Sequence, residues 1–204
     1  DSVDASTDPH LFNLSASAGA PPDDFDARGQ NWGFPTYNWD VMAQDDYQWW
    51  KFRFTKMADY FDAYRVDHIL GFFRIWQMRK SDVWGLCGHF SPAMPYSLQD
   101  LWNMGVKLDE DRLTKPYIRA NFLGDTFGYD TEYVKNNFLL TNDGYIYFFP
   151  EHLDTQRKVQ QFFLNPENRA AHENNCNIDN VLNGPLYLHC EVLFVRDQKN
   201  PSML

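Results

Sequence analysis

The chain has 204 residues and 44% hydrophobic content, enough to bury a sizeable core and too apolar for a disordered segment. Its 18 Lys and Arg stand against 28 Asp and Glu, a formal net charge of -10, and no basic patch or nucleic-acid motif appears, which argues against a nucleic-acid partner. No apolar run approaches the length of a membrane span and no signal-peptide pattern is present, so no membrane partner is expected. Cys87, Cys176 and Cys190 are an odd number and too few to staple a chain of this size, which points to a reducing, cytoplasmic setting. Aromatic residues reach 17%, several of them beside charged residues in segments that read as loops. That mixture suits sugar rings, whose C–H faces stack on aromatic planes while their hydroxyls bond carboxylates and amides; core packing is the ordinary alternative for any single ring.

Residues 1–22 are rich in Ser, Ala, Asp and Pro without periodicity and read as a leading loop that ends at Gly19-Ala-Pro-Pro22. Asn13-Leu-Ser15 matches the glycosylation acceptor pattern, a signal of little specificity. Residues 23–43 place Gly29, Gly33 and Pro35 among Trp32, Tyr37 and Trp39, an ordered aromatic loop whose rigidity must come from packing. Asp45 or Asp46 can cap the next segment, where Tyr47, Trp50, Phe54, Met57 or Ala58, and Phe61 recur at steps of three and four and share a helical face. At Asp62-Ala-Tyr-Arg-Val-Asp-His68 the period changes to two, which predicts a strand over 63–67. Ala63, Arg65 and Asp67 then share one side, and Tyr64, Val66 and His68 the other.

An apolar stretch around Gly71 covers 69–76, and residues 81–130 alternate short apolar runs with Gly, Pro and Asp, as an insertion packed on a larger domain would. Residues 145–149 read as a strand, 153–164 as a helix starting near Asp154, 165–180 as a polar connection and 186–195 as a second apolar segment. No internal repeat of fixed period appears.

A small residue, a cation and a carboxylate on one strand face make a poor core and a plausible active-site floor. A helix leading into a strand that ends in charged residues is the unit α/β barrels repeat, with their chemistry at the C-terminal strand ends. Asp67 is the candidate nucleophile, because retaining glycoside cleavage needs one carboxylate to attack the anomeric carbon and a second, about 5–5.5 Å away, to protonate the departing oxygen. Arg65 supplies a cation that favours the charged carboxylate. Spacing alone leaves a structural ion pair open at these two residues, and makes it the commoner reading.

Four blocks in order carry a resemblance: Gly19-Ala-Pro-Pro-Asp-Asp-Phe25, Gly29-Gln-Asn-Trp-Gly-Phe-Pro-Thr-Tyr-Asn-Trp39, Asp46-Tyr-Gln-Trp-Trp50 and Tyr60-Phe-Asp-Ala-Tyr-Arg-Val-Asp-His-Ile-Leu-Gly-Phe-Phe73. Together they resemble the 4-α-glucanotransferases called amylomaltases or disproportionating enzymes, glycoside hydrolase family 77. The stretch 69–76 with its extended continuation is most similar to the eukaryotic cytosolic form. Weaker similarity runs through Arg112-Leu-Thr-Lys-Pro-Tyr-Ile-Arg119 to Val195-Arg-Asp197.

The resemblance implies an α/β fold, a partial (β/α)8 TIM barrel with a long insertion. Residues 1–80 would be the part of the catalytic barrel bearing the substrate loop and nucleophile strand, and 81–204 the insertion with further, incomplete barrel segments. It also implies transfer of α-1,4-glucan units from maltose or malto-oligosaccharides to a branched glucan through a covalent glycosyl-enzyme, without cofactor or metal. In that scheme Asp67 attacks C1, Arg65 steadies it, and His68 lies near the donor sugar, although strict alternation puts His68 on the opposite face. Trp32, with Gln30 and Asn31 beside it, resembles the donor-side platform, and a buried anchor for the loop is its ordinary alternative. Asp23, Asp24 and Phe25 resemble the loop that covers the cleft, where members commonly carry an aromatic in place of Asp24; Asp23 and Pro35 are expected to shape that loop more than to touch sugar. Closure of such a loop excludes water from the intermediate.

The family's acid/base Glu, in a Glu-Asp-Leu-Gly-like block, and its third Asp have no counterpart in this sequence. Glu191, in His189-Cys-Glu-Val-Leu193, does not match that block. Turnover by these residues alone is therefore not expected, and the remainder of the same protein is the expected partner that completes the barrel. Isolated, a half barrel with open strand edges would be insoluble or would associate. His172-Glu-Asn-Asn-Cys176, Cys87-Gly-His89 and His189-Cys190 are too sparse for a tetrahedral metal site, and 124–128 lacks the Lys-Ser/Thr pair of a phosphate loop.

Overall fold

A computed structural model describes residues 3–197 and 199–204. Their contacts divide into two compact units: the described residues up to Lys80 with Gly88–Pro92, and Ser81–Cys87 with the described residues from Ala93 onward.

The segment expected to be a leading loop instead builds the scaffold of the first unit. Helix α1 (Val3–Thr7) and a 3-10 turn at Pro9–Leu11 lead into strands β1 (Phe12–Asn13) and β2 (Ala16–Ala20). The aromatic loop contributes β3 (Gln30–Asn31) and β4 (Thr36–Tyr37), and β5 (Ile75–Arg79) and β6 (His89–Ser91) follow later in the chain. β1 pairs with β4, and a four-stranded sheet runs in the order β3-β2-β5-β6. β2 is a run of small residues because neighbours crowd it. Ala16 and Ala18 are buried, and a Cβ at Gly19 would lie 2.0 Å from the backbone oxygen of Gln30. Such a strand lacks the large alternating side chains that make a strand visible in sequence.

After helix α2 (Trp39–Met42), Asp46 and Tyr47 adopt left-handed backbone (φ 57 and 59) and turn the chain into α3 (Gln48–Ala58). Asp45 accepts the Gln48 N–H at 3.1 Å, satisfying an otherwise orphan donor of the first turn. No residue of α3 is buried. The strand expected over 63–67 is not formed: the chain is irregular there, and among the described residues no ladder bond reaches it. Extended backbone needs a neighbouring strand to satisfy its N–H and C=O groups, and this segment has none before a 3-10 turn at Ile69–Phe72.

The second unit is largely helical. It comprises α4 (Leu98–Asn103), α5 (Glu110–Thr114), β7 (Ile118–Arg119), α6 (Ala120–Phe127), α7 (Thr131–Phe138), β8 (Leu140–Thr141), β9 (Ile146–Phe148), α8 (Gln156–Leu164), α9 (Pro166–His172) and α10 (Ile178–Leu188). Its sheet runs β7-β9-β8. Phe127, Phe138, Phe163, Val159, Val181 and Leu188 form the centre of its core. Gln156 is buried at its edge, where Oε1 accepts the N–H groups of Val83 and Trp84 at 2.6 and 3.0 Å and Nε2 donates to the Leu186 carbonyl at 2.6 Å. The same meeting of segments joins Cys87 to Cys190 in a disulfide, against the expectation of unpaired cysteines. Asn165–Asn180 is not a plain polar connection either: Asn165 caps α9, whose first residue is Pro166.

Among the described residues every strand pairing is antiparallel, and no closed barrel is present. The architecture is mixed α/β, without the parallel pairing a barrel repeat requires.

Ser97 caps α4 in a reciprocal box with Asp100, and its O–H and N–H donate to the carboxylate at 2.6 and 2.9 Å. These bonds hold the Asp100 carboxyl below its ordinary 3.8. A depressed folded pKa gives stability that is complete above the unfolded value and is lost as pH falls through the folded one. Melting temperatures taken downward from about pH 5 should lose this contribution below pH 3.8, and Asp100→Asn should remove that part of the pH dependence.

Candidate active site

In the first unit, α3, the irregular 63–68 segment, the 3-10 turn and the start of β5 enclose, with the Trp32 loop, a cleft of about 540 Å³. Its walls are aromatic: Trp50 packs on Phe72 with ring centroids 4.8 Å apart, and Phe54 stacks on Tyr64 at 5.1 Å. Its polar groups include Arg65, Asp67 and His68. Arg65 and Asp67 are both exposed, and among the described residues no ion pair joins them. The shared strand face does not account for their meeting, because no strand is present. Irregular backbone and the turn at His68 bring them to one cleft.

His68 has φ 51 and ψ 50, a left-handed conformation that costs a non-glycine residue about 1–3 kcal/mol. Its ring meets Trp32 edge-on at 5.1 Å, and Trp32 stacks on Phe34 at 5.7 Å. Trp32 is fixed through its backbone N–H, which donates to the Ala18 carbonyl at 2.9 Å, and through its indole N–H, which donates to Gln30 Oε1 at 2.9 Å. Gln30 therefore holds the platform and does not line the cleft. Asp23 shapes its own loop, accepting the N–H groups of Phe25 and Asp26 at 2.9 and 2.8 Å. Asp24 is exposed and Phe25 is 97% exposed; neither they nor Asp23 line the cleft.

Sequence reasoning did not single out Tyr37, Tyr64 and Phe72 as lining residues. The helical period through Trp50, Phe54 and Met57 was the available signal for the opposite wall. Burial pushes the Tyr37 hydroxyl above its ordinary 10.0, partly offset by the Arg53 cation, so it stays a neutral donor and acceptor at the cleft. The site thus offers one carboxylate, one guanidinium, one imidazole and two phenol hydroxyls among aromatic faces. Among the described residues, Asp67 is the only carboxylate in its lining.

Glu191 lies in the second unit and hydrogen-bonds Tyr187, which raises that hydroxyl's pKa. His172 is occupied by the Tyr133 hydroxyl at 2.7 Å, and the Cys176 thiol donates to the His172 carbonyl at 3.3 Å. Among the described residues no three His, Cys, Asp or Glu side chains are arranged to hold a metal ion, and no helix is long and apolar enough to cross a membrane.

Comparison with known proteins places this sequence in a family. The sequence profile described as 4-alpha-glucanotransferase matches residues 1–173. The rice 4-alpha-glucanotransferase DPE2 is 46% identical over 158 residues, which is 78% of this chain and 17% of the rice protein. The 4-alpha-glucanotransferase of Chlamydia pneumoniae is 47% identical over 84 residues, covering 41% of this chain and 15% of that protein. A solved amylomaltase from Streptococcus agalactiae, in complex with acarbose, has 39% identity over 46% of this chain and 20% of its own, with a TM-score of 0.44. The chain thus spans less than a fifth of the length of these two curated relatives. It belongs to the 4-alpha-glucanotransferase family, glycoside hydrolase family 77.

Proposed function

We propose that this chain is the nucleophile-bearing portion of a 4-α-glucanotransferase that moves α-1,4-glucan or glucosyl units from maltose and malto-oligosaccharides to a branched glucan. The observation that carries this reading is the single aromatic-walled cleft shared by Arg65, Asp67, His68 and Trp32. An Asp67 oxygen attacks C1 of the donor sugar as the C1–O bond breaks, and the departing oxygen takes a proton from an acid outside this cleft's own lining. A glucan 4-hydroxyl then attacks the same carbon from the side opposite Asp67, its proton passing to the now-deprotonated acid as the bond to Asp67 breaks, so that two inversions give net retention. Water attacking in its place would give hydrolysis as a side reaction.

Arg65 steadies the carboxylate, and Trp32 and His68 receive the donor sugar beside it. Asp23, Asp24 and Phe25 ride on the loop that covers the bound glucan. The acid/base Glu and the rest of a (β/α)8 barrel come from the remainder of the same protein. The thin core of the first unit supports this: Tyr60, Phe61, Leu70 and Phe73 are 79%, 63%, 69% and 83% exposed, a display of apolar surface that further chain would cover. Kinship with the long eukaryotic cytosolic form is supported by the 158-residue span of the rice match against 84 residues for Chlamydia pneumoniae. Cytoplasmic action belongs to the same reading; the Cys87–Cys190 disulfide weighs against it, since thiols there are usually reduced.

A non-catalytic glucan-binding or scaffolding module is the second reading, and the missing second carboxylate in the cleft favours it. Incubation of the full-length protein with maltose separates the two. A transferase releases glucose faster when glycogen is added as acceptor, whereas a binding module retains maltose and releases none.

A further inference from the structure

Gly71 is a glycine for a reason other than backbone freedom. Its φ lies outside the left-handed region, so alanine would meet no backbone strain there. The obstacle is a ring. The Gly71 N–H donates to the His68 carbonyl at 2.9 Å, closing the 3-10 turn and folding position 71 against the residue three before it. A Cβ at 71 would stand 2.9 Å from His68 Cδ2 and 3.2 Å from Ile75 Cδ1. The first distance is shorter than carbon atoms tolerate, so the imidazole would have to move. That imidazole is the one set edge-on to Trp32 at 5.1 Å, and both rings line the cleft that holds Asp67.

We propose that Gly71 is a positioning residue: the space left by its missing side chain seats the His68 imidazole against Trp32 and so fixes the sugar contact beside Asp67. The proposal rests on the reading of this cleft as the glucan site. Gly71 itself touches no reacting atom; its effect passes through His68.

A double-mutant cycle in the full-length protein tests it, with maltose and glycogen as substrates and Asp67→Asn as a control. Gly71→Ala is expected to lower kcat/KM for maltose about 10-fold, mainly through KM, because a misplaced contact weakens substrate positioning. On a His68→Ala background the same change is expected to cost less than about 2-fold, since there is no ring left to displace. Equal losses on both backgrounds, or no loss from Gly71→Ala alone, would overturn the proposal. If Gly71→Ala fails to fold, folding restored by adding His68→Ala would support the seat, and failure of both would overturn it. Full turnover by Asp67→Asn would instead sink the reading of the cleft, a result distinct from additivity at positions 68 and 71.

Discussion

Asp67→Asn in the full-length protein is expected to cut glucose release from maltose and glycogen by at least about 10³-fold while leaving fold and maltose binding in place. Asparagine keeps the shape of the side chain but offers only an amide oxygen, too weak a nucleophile to displace a sugar alkoxide. The covalent intermediate is then lost, and with it the division of one difficult displacement into two easier ones. Stability should hardly change, because Asp67 is exposed and among the described residues no ion pair depends on it. Exposed substitutions of that kind usually stay within about 0.5 kcal/mol. A coincident loss of melting temperature would mean that Asp67 has a structural task this account does not give it.

Phe138→Ala is expected to have the largest effect on stability, a loss of about 3–5 kcal/mol in the second unit. Phe138 ends α7, is 2% exposed, and packs against Phe163 and His172 at centroid distances of 5.4 and 4.8 Å. Truncation removes the transfer energy of a buried ring and leaves a cavity bordered by rings on α7, α8 and α9, which limits collapse. Denaturant unfolding should show a lower midpoint with an unchanged slope. Phe25→Ala is the contrast: at 97% exposed, that ring should leave the unfolding midpoint where it is.

The parts of the fold legible in sequence are those whose local signals agree. Residues 145–149 read as a strand and β9 spans Ile146–Phe148; 153–164 read as a helix and α8 spans Gln156–Leu164, capped by Thr155. β2 was illegible because close backbone packing selects small residues, which look like loop composition. The period of two over 63–67 was real, but alternation makes a strand only where a neighbouring strand takes up the hydrogen bonds. Cys87 and Cys190 are 103 residues apart, a pairing set by where Gln156 gathers the 81–87 segment and α10.

At the site, Asp67, Arg65, His68 and Trp32 could be named from the four sequence blocks, and the structure gathers them in one cleft. Tyr64 and Phe72 could not, since their place in the lining depends on the irregular segment and the turn after it. The left-handed His68 is the pivot of that arrangement; histidine is among the non-glycine residues enriched in that conformation, but the preference is too weak to mark the turn in sequence.

The measurement closest to the central claim is mass analysis of the full-length protein quenched in acid during turnover of a slow fluorinated glycosyl donor. Cleavage after Arg65 and Arg74 frees residues 66–74, a peptide whose only side-chain carboxylate is Asp67. This peptide, and no other, is expected to gain the mass of the transferred glycosyl unit. The glycosyl mass on a different peptide, in a protein that still transfers glucan, would contradict it.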